Sequence, residues 1–370
     1  MGQQLERADI PRADVDLAAG YRHMFALIGN GIIQALEPAD PYAPTFGAIT
    51  RTDVLKWGLD CPDCAYRTTA IKGDLNYRIT GNIGTVRYLS FQINEGMANN
   101  GNIRNDELEC ASAGSFELFV GPDEQAGNWL ATPAGAETII SRQFFADWDN
   151  EERADFEIEL TSPLPPDTGA HLLVATPNRV ARQLDAVGTW LEANAKFWID
   201  VEVLGQDAKP NAFGDATVKS EMGGAQENIN AWGHYELGPD EAMIVEAVPA
   251  LARYWSLHAG NFWWESIDYA TRHSSINLHQ AVIDDDGVFR AVVAHHDPGV
   301  PNWIDTMGHT KGPLLFRWVV ADHGPATTTT VVPLADLRDH LPATTGTVTP
   351  EERAAVIAKR RRSVQRRFAS

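Results

Sequence analysis

Apolar positions recur at helical spacing near the start of the chain. From Leu17 to Leu36 they lie three or four residues apart, as on one face of a helix, with Asp14 or Asp16 as the cap. A second long helix is predicted to begin after Thr176, because this capping residue is followed by Pro177. The sequence therefore predicts two long helices, one near the N-terminus and one in mid-chain.

Most of the remaining pattern is of β type. Short runs of β-prone residues alternate with turns rich in Gly, Asn and Pro, which is typical of strands in sandwiches. The predicted strands are residues 77–80, 86–93, 115–120, 137–145, 243–248, 254–257, 276–283, 288–295 and 314–320. Residues 205–234 are polar and glycine-rich, and we expect a loop or covering segment there.

The same order of landmarks occurs twice. Phe116, Asn128-Trp129 and Arg142 in the first half correspond to Phe289, Asn302-Trp303 and Arg317 in the second, with gaps that differ by one residue. Such self-similarity indicates an internal duplication. The predicted fold is mainly β with helical insertions, built from two antiparallel β-sandwich or jelly-roll modules.

This organisation divides the chain into five parts. We expect an N-terminal helical segment (1–44), a first β-sandwich module (45–162) and a helical insertion with a covering loop (163–237). A second β-sandwich module (238–348) and a basic C-terminal helix (349–370) follow. The interpretation favoured for the basic helix is that it is solvated or docks on the body, and a nucleic-acid arm or membrane-surface helix is the alternative.

Three segments carry a resemblance to a known family. These are residues 77–82 (YRITGN), 127–130 (GNWL) and 296–305 (HDPGVPNWID). With them the chain resembles, from about Gly20 to Phe368, the bacterial proteins grouped as domain of unknown function 1214. The resemblance implies a double β-sandwich body and transfers no catalytic residue. Cys61-Pro62-Asp63-Cys64 stands where that family would have Asn-Pro-Asp-Asn.

Composition limits the classes of partner. The 370 residues carry a formal net charge of −20, which would repel phosphate backbones and anionic membranes. No secretory signal or membrane-spanning run is visible, and the 3 cysteines cannot form a disulfide framework. We therefore expect a soluble, cytoplasmic, bacterial protein with no nucleic-acid partner and no membrane insertion.

Histidines are concentrated in the second repeat. His295, His309 and Asp305 stand where the first repeat has unreactive residues. Fold residues should recur in both copies, so chemistry confined to one copy is the candidate for function. A histidine held by a carboxylate can pass protons in either direction near neutral pH. We predict His295 and His309 as proton carriers and Asp305 as the residue that orients one of them.

Candidate substrate contacts surround this group. Arg272 and Arg317 would bind a carboxylate, a sulfate or a developing oxyanion. The predicted aromatic wall and polar neighbours are Trp263, Trp264, Trp303, Asn277 and His279. A structural role is the favoured interpretation for Asn302, Trp303 and Arg317, because all three recur in the first repeat.

A predicted hairpin relates some of these residues. The sequence Asp284-Asp285-Asp286-Gly287 is typical of a turn between two strands. A three-residue loop would place Asn277 opposite His295, and a two-residue loop would place it opposite His296. In the first register His279 would lie diagonally next to His295 on the same face.

Two further constellations have weaker support. His295, Asp297 and His309 could supply two histidines and a carboxylate to a non-haem iron, but Asp297-Pro298-Gly299 is typical of a turn. Cys61 and Cys64 could form a redox or zinc pair, although the segment that follows them is β-prone and only Cys110 remains as a further thiol. Two small loop residues are the favoured interpretation.

Together these observations predict a small-molecule enzyme. It would act on a hydrophobic organic substrate by metal-independent His/Asp acid–base chemistry without a cofactor, and hydrolase, lyase and isomerase are not distinguished. The alternatives are a non-catalytic ligand- or carbohydrate-binding sandwich and a non-haem metal oxygenase. A homo-oligomer remains open.

Overall fold

The computed structural model describes residues 2–36, 40–48, 54–96, 98–164, 176–218 and 224–368. Within these residues the chain is mostly β, with 19 strands in four sheets and few helices. The sheets pair into two β-sandwich modules, which confirms the predicted fold class.

The first module contains nine strands. They are β1 (Gly47–Ala48), β2 (Cys64–Ala70), β3 (Tyr77–Asn82), β4 (Tyr88–Glu95), β5 (Ala98–Arg104), β6 (Ser115–Gly121), β7 (Trp129–Ala131), β8 (Thr138–Phe144) and β9 (Asp155–Leu160). One sheet has the order β1-β2-β8-β4-β5 and the other has the order β7-β6-β3-β9.

The second module repeats this arrangement. Its strands are β10 (Ala212–Phe213), β11 (Thr217–Val218), β12 (Asn228–Glu236), β13 (Glu241–Ala247), β14 (Ala252–Ala259), β15 (Ser275–Asn277), β16 (Phe289–Ala294), β17 (Trp303–Asp305), β18 (Lys311–Ala321) and β19 (Thr328–Pro333). The orders β10-β12-β18-β14-β15 and β17-β16-β13-β19 match those of the first module, while β11 pairs with β12. Each module departs from a purely antiparallel sandwich at one parallel pair, β6–β7 or β16–β17.

Each module buries its own apolar core between its two sheets. In β4, Leu89, Phe91 and Ile93 point into the first core, and in β14, Trp255 and Leu257 point into the second. Side chains alternate along a strand, so the residues between these positions point out of the sandwich. Those outward positions are nevertheless buried in both modules.

The modules pack through these outward faces. We call β1-β2-β8-β4-β5 and β10-β12-β18-β14-β15 the inner sheets. Tyr88 and Phe144 of the first inner sheet cluster with Tyr254 and Val319 of the second, and the Phe144 and Tyr254 rings are 4.8 Å apart. The hydroxyl of Tyr88 also donates to the Glu227 carboxylate across the interface. The contact between the modules is therefore a buried, mixed polar and aromatic layer.

Helices cover the edges of this double sandwich. They are α1 (Gly2–Leu5), α2 (Asp14–Leu36), α3 (Pro177–Ala208) and α4 (Pro350–Phe368), and a 3-10 helix spans Leu334–His340. α3 begins at the predicted cap, where the Thr176 side chain accepts from the Arg179 amide. α2 occupies the predicted residues, but the expected apolar face points outward: Tyr21, Phe25 and Ile32 are exposed. No helix of the described residues is long and apolar enough to cross a membrane.

The basic helix α4 docks on both modules. This agrees with the favoured interpretation of the sequence, in which the helix is solvated or docks on the body. Arg353 forms an ion pair with Asp297 at 2.9 Å, and Arg360 donates to Ser275 Oγ at 2.6 Å in the second module. Lys359 reaches Asp149 of the first module. The basic residues of this helix therefore neutralise acidic positions of the body.

The prediction of a loop at residues 205–234 was wrong. This stretch contains the last residues of α3, the whole of β10 and β11, and most of β12. The nine residues of β12 form a central strand of the second inner sheet. The second module therefore starts earlier than residue 238. Residues 165–175, inside the predicted insertion, lie outside the described residues.

Candidate ligand-binding cavity

A cavity of about 350 Å³ lies between the two inner sheets. Its walls come from both modules, with Arg142 and Phe144 on one side and Asn230 and Arg317 on the other. Trp190 and Trp198 of α3 close a further side. Small-molecule sites are commonly found in cavities of about this size or larger at domain interfaces.

Aromatic rings form much of the wall. Trp198 stacks on Trp264 with ring centroids 4.7 Å apart, and Trp232 meets Trp264 edge-on at 5.1 Å. Trp57 lies 5.5 Å from Trp190 and 6.1 Å from Trp198. Gly58 has φ of +66°, a left-handed conformation that favours glycine, and it lies beside the Trp198 ring. This wall suits a flat apolar molecule.

The residue at position 264 is held in an unusual conformation. Trp264 has φ of +57°, a left-handed conformation that is uncommon for a bulky residue. Its carbonyl accepts from the Leu59 amide at 2.6 Å and its indole nitrogen donates to Glu202 at 3.0 Å. Contacts from two other segments therefore fix this ring against the cavity.

Arg317 is the principal charged group of the cavity wall. It extends from β18, its Nε donates to Asn230 Oδ1 at 3.1 Å, and its guanidinium lies 5.6 Å from the Phe144 ring. Among the described residues no carboxylate pairs with it and its buried Nη1 has no hydrogen-bond partner. Such unsatisfied buried donors are rare and call for an explanation.

Other polar atoms of the cavity wall share this property. Within the described part of the chain, the indole nitrogens of Trp57 and Trp198 and the amide oxygen of Asn228 are buried without a partner. Trp198 and Asn228 are only 7% and 4% exposed. Residues of the cavity wall thus carry three donors and one acceptor that have no partner among the described residues.

Asp60 is the carboxyl group on the wall of the cavity. Its oxygens accept from the Ser266 amide at 3.1 Å and from Ser266 Oγ at 2.7 Å, and Lys56 Nζ lies 2.9 Å from the same Oγ. Burial raises the pKa of Asp60 and lowers the pKa of Lys56. Both shifts favour the neutral forms, so Asp60 can hold a proton at a higher pH than an exposed carboxyl group.

Two of the residues repeated in both modules, the asparagine and the tryptophan, have the same role in each. Asn128 exchanges hydrogen bonds with Glu109 and bonds the Glu117 carbonyl, while Asn302 exchanges them with Val282 and bonds the Arg290 carbonyl. The Trp303 indole donates to the Ala294 carbonyl at 3.1 Å, as Trp129 does to Gly121. Asn302 and Trp303 are fold residues and lie outside the cavity wall.

Arg142 and Arg317 differ from these repeated residues. They occupy equivalent positions of β8 and β18, each opposite a serine, Ser90 or Ser256. Arg142 donates to Gln92 Oε1 at 2.5 Å. Because the inner sheets face each other, the duplication brings both arginines to one cavity.

The predicted proton carriers lie around one turn but have structural partners. His295 is 2.5 Å from Thr306 Oγ1 and 3.2 Å from the Leu237 carbonyl. His309 is almost fully buried, with Nδ1 2.7 Å from Asp16 of α2. Neither histidine lines the cavity of about 350 Å³.

Asp305 is paired with a different predicted residue. Its carboxylate lies 3.5 Å from Arg272 and accepts from the Met307 amide at 2.7 Å. Burial raises the pKa of Asp305. It therefore does not orient either histidine through any hydrogen bond within the described residues, and Arg272 is half-exposed beside it.

The predicted register for Asn277 was wrong. The turn at Asp284–Gly287 exists, but β15 pairs with β14, so that Asn277 lies opposite Ser256 rather than a histidine. Its side chain donates to Asp63 at 2.7 Å and to the Ala146 carbonyl at 3.0 Å, joining the modules. His279 is exposed, 3.7 Å from Asp147.

Two of the three predicted aromatic residues have packing roles only. Trp263 is buried among the N-terminal helices, and its indole donates to the Asp16 carbonyl at 2.8 Å. Trp303 packs under α4, with Arg353 5.3 Å from its ring. Of the predicted site residues, Trp264 and Arg317 line the cavity.

The alternative metal set is not assembled. Asp297 pairs with Arg353, whereas His295 and His309 have the separate partners described above. No group of three His, Cys, Asp or Glu side chains in the described residues is placed to hold a metal ion. Cys61 and Cys64 are fully buried, and burial raises the pKa of both thiols.

The sequence prediction missed most of the cavity wall. Asn228, Asn230 and Trp232 belong to a stretch whose polarity predicted a loop. Trp57, Trp190 and Trp198 are widely spaced in sequence and carry no motif. A usable signal was the recurrence of arginine at 142 and 317, since a duplicated residue can also line an interface between the two copies.

Comparisons with known proteins support the fold. The crystal structure of an uncharacterized protein from Burkholderia cenocepacia superposes with a TM-score of 0.83 at 29% identity, covering 90% of this chain and 94% of the other. A Vibrio parahaemolyticus protein reaches a TM-score of 0.48 at 10% identity over 84% of this chain and 98% of its own, too low to support an argument.

Other comparisons add no function. No family model matches the chain, so the resemblance to domain of unknown function 1214 stays a prediction. No curated protein matches either. A salicylate 1,2-dioxygenase from Pseudaminobacter salicylatoxidans has a TM-score of 0.15 at 9% identity over 77% of this chain and 74% of its own, and at that score it does not bear on metal chemistry.

Proposed function

We propose that this chain binds a small organic anion with a flat, apolar body in the cavity between its modules. The observation that carries the proposal is Arg317, a partly buried residue whose buried Nη1 has no partner among the described residues and which lies in a wall rich in tryptophan. A ligand carboxylate would supply the missing acceptor.

The energetics favour an anion over a neutral ligand. Burying a guanidinium without a counter-charge costs free energy, and a bound carboxylate recovers part of that cost. The volume of about 350 Å³ limits the ligand to one or two fused rings with short substituents. The cavity-lining tryptophans are buried or half-buried and form no exposed stripe, which makes a carbohydrate surface a poorer fit.

An acid–base enzyme with the same site is the second candidate. The cavity-lining Asp60 supports it, because a carboxyl group with a raised pKa can exchange a proton with a bound molecule. Ser266 would position Asp60 through the hydrogen bond that it donates, and Lys56 would hold Ser266 in place by donating to its hydroxyl oxygen. This assignment moves the predicted acid–base chemistry from His295 and His309 to a carboxyl group inside the cavity.

The proposal is tested with a matched pair of probes. 2-Naphthoate and 2-naphthalenemethanol share the same rings, and only the first carries a charge. Tryptophan fluorescence reports binding because five indoles line the cavity. We expect saturable quenching by 2-naphthoate at much lower concentration than by the alcohol. Equal binding of the two probes, or none by either or by benzoate, would overturn the proposal.

The enzymatic candidate needs a separate readout. Asp60→Asn should preserve 2-naphthoate binding, since the amide keeps the shape of the side chain. In a screen of aromatic acids and their esters, lactones and hydroxy derivatives, any turnover by the wild-type protein should vanish in this variant. Turnover that survives Asp60→Asn would exclude Asp60 as the acid–base group.

A further inference from the structure

The outer face of α2 is unusual for a surface helix. Tyr21, Phe25, Ile28, Ile32 and Leu36 form one continuous stripe, with exposed fractions of 60%, 73%, 40%, 44% and 56%. Isolated apolar residues are common on protein surfaces, but contiguous stripes of large side chains mark interaction sites. Within the 23 residues of α2 only Arg22 carries a full charge after Asp16.

The inner face of α2 explains why the stripe points outward. Small residues bring the helix against large aromatic neighbours: a Cβ at Gly20 would lie 2.4 Å from Trp263, and one at Gly31 would lie 3.3 Å from Trp190. His23 is held by Glu265 at 2.9 Å on the same buried side. The rotation of α2 is therefore fixed by these contacts, and no described residue covers the stripe.

The spacing of the stripe is self-complementary. About a point between residues 28 and 29, Tyr21 is placed symmetrically with Leu36, Phe25 with Ile32, and Ile28 lies next to the centre. Two copies of the helix packed antiparallel across a two-fold axis would therefore match apolar side chain to apolar side chain. This is the requirement of an isologous interface, in which each residue pair occurs twice.

The surface area of the chain is consistent with an unfilled interface. A monomer of 40.6 kDa has an expected accessible surface of about 14,600 Å². The observed value is 16466 Å². This surface is larger than expected for a monomer and leaves room for the roughly 800 Å² that each partner buries in a standard interface.

We propose that the α2 stripe is the centre of a symmetric dimer interface with a second copy of this chain. Val180 and Leu184 of α3 would extend it, since both are exposed and the adjacent Gln183 bonds the Ala35 carbonyl of α2. An anionic membrane is a poor alternative occupant, because interfacial helices use basic residues and this chain carries a net charge of −20.

The first test is the mass of the full chain in solution by light scattering and sedimentation. We expect a dimer that Phe25→Glu and Ile32→Glu each weaken about 100-fold or more, because every substitution acts twice in a symmetric interface. Leu251→Glu is the matched control, since Leu251 is exposed and apolar but lies in the second module, immediately before β14. A monomeric wild-type protein, or a dimer that survives Phe25→Glu, would overturn the proposal.

A cross-linking test locates the two-fold axis. Ile28→Cys should form a disulfide with its own copy under copper–phenanthroline oxidation, because this residue lies next to the predicted centre. Leu204→Cys, which is more exposed than position 28 (70% against 40%) and lies on α3 outside the stripe, should not. Efficient cross-linking of Leu204→Cys without Ile28→Cys would place the interface elsewhere and contradict the proposal.

Discussion

Replacing Arg317 by methionine separates a ligand-binding role from a structural one. The guanidinium makes one hydrogen bond, to Asn230, and packs 5.6 Å from the Phe144 ring, while Nη1 has no partner among the described residues. Methionine keeps much of the apolar stem and removes the buried charge. Binding and stability should therefore respond in different directions.

The magnitudes follow from these contacts. A hydrogen bond to a charged group contributes about 1.5–3 kcal/mol, so 2-naphthoate should bind Arg317→Met roughly 10- to 150-fold more weakly. In the ligand-free protein, the loss of one hydrogen bond and one ring contact is offset by the relief of an unpaired buried charge. We expect the free energy of unfolding to stay within about 1 kcal/mol of wild type or to rise.

The assay combines fluorescence titration with urea unfolding of the same samples. Arg290→Met is the matched control: Arg290 pairs with Glu246, Asp284 and Asp286, so its loss should lower stability by about 1–2 kcal/mol and leave binding unchanged. A loss of more than about 2 kcal/mol in Arg317→Met with unaltered 2-naphthoate binding would refute the reasoning, since it would make Arg317 a structural residue.

Three further predictions concern stability and reactivity. Burial lowers the pKa of His273 to about 3, so below about pH 6.5 the unfolded chain takes up a proton that the folded chain does not. The free energy of unfolding should therefore fall by about 1.4 kcal/mol per pH unit as the pH is lowered. Unfolding curves between pH 6 and 4 should show a smaller slope for His273→Gln and an unchanged slope for the exposed control His323→Gln. Arg360→Met removes the hydrogen bonds that Arg360 donates to the carbonyls of Tyr269 and Ser275, and it should cost about 2–4 kcal/mol in urea unfolding. The neighbouring exposed Arg361→Met should be neutral, and equal effects would contradict the docking of α4. Ellman's reagent should label Cys110 in the native protein and reach the fully buried Cys61 and Cys64 only after unfolding; rapid reaction of all three thiols would contradict their burial.

The spacing of apolar residues along the chain was enough to predict the helices and strands that have one apolar and one polar face. α2 and α3 begin at the predicted residues, and most strands overlap their predicted ranges, because the sandwich core demands apolar residues at alternate positions. The duplication was visible from Asn-Trp and Arg landmarks that perform the same hydrogen bonding in both modules. The fold therefore followed from local rules repeated twice.

The candidate site did not follow from the same rules. β12 carries Asn228, Asn230 and Trp232 on a face that is polar yet buried against the other module, and a polar face suggests solvent when only one strand is considered. The histidine cluster attracted attention through residue type, but His309 is bonded to Asp16 of α2, a partner almost 300 positions away in the chain. Contacts between distant segments decided which polar residues surround a cavity.

The most direct measurement of the central claim is a crystal structure of the protein soaked with 6-bromo-2-naphthoate, with the bromine located by its anomalous signal. The account predicts a bromine peak in the cavity between the inner sheets and the carboxylate within hydrogen-bonding distance of Arg317. Density for the probe beside His295 and His309, or at no ordered position while the cavity stays empty, would contradict it.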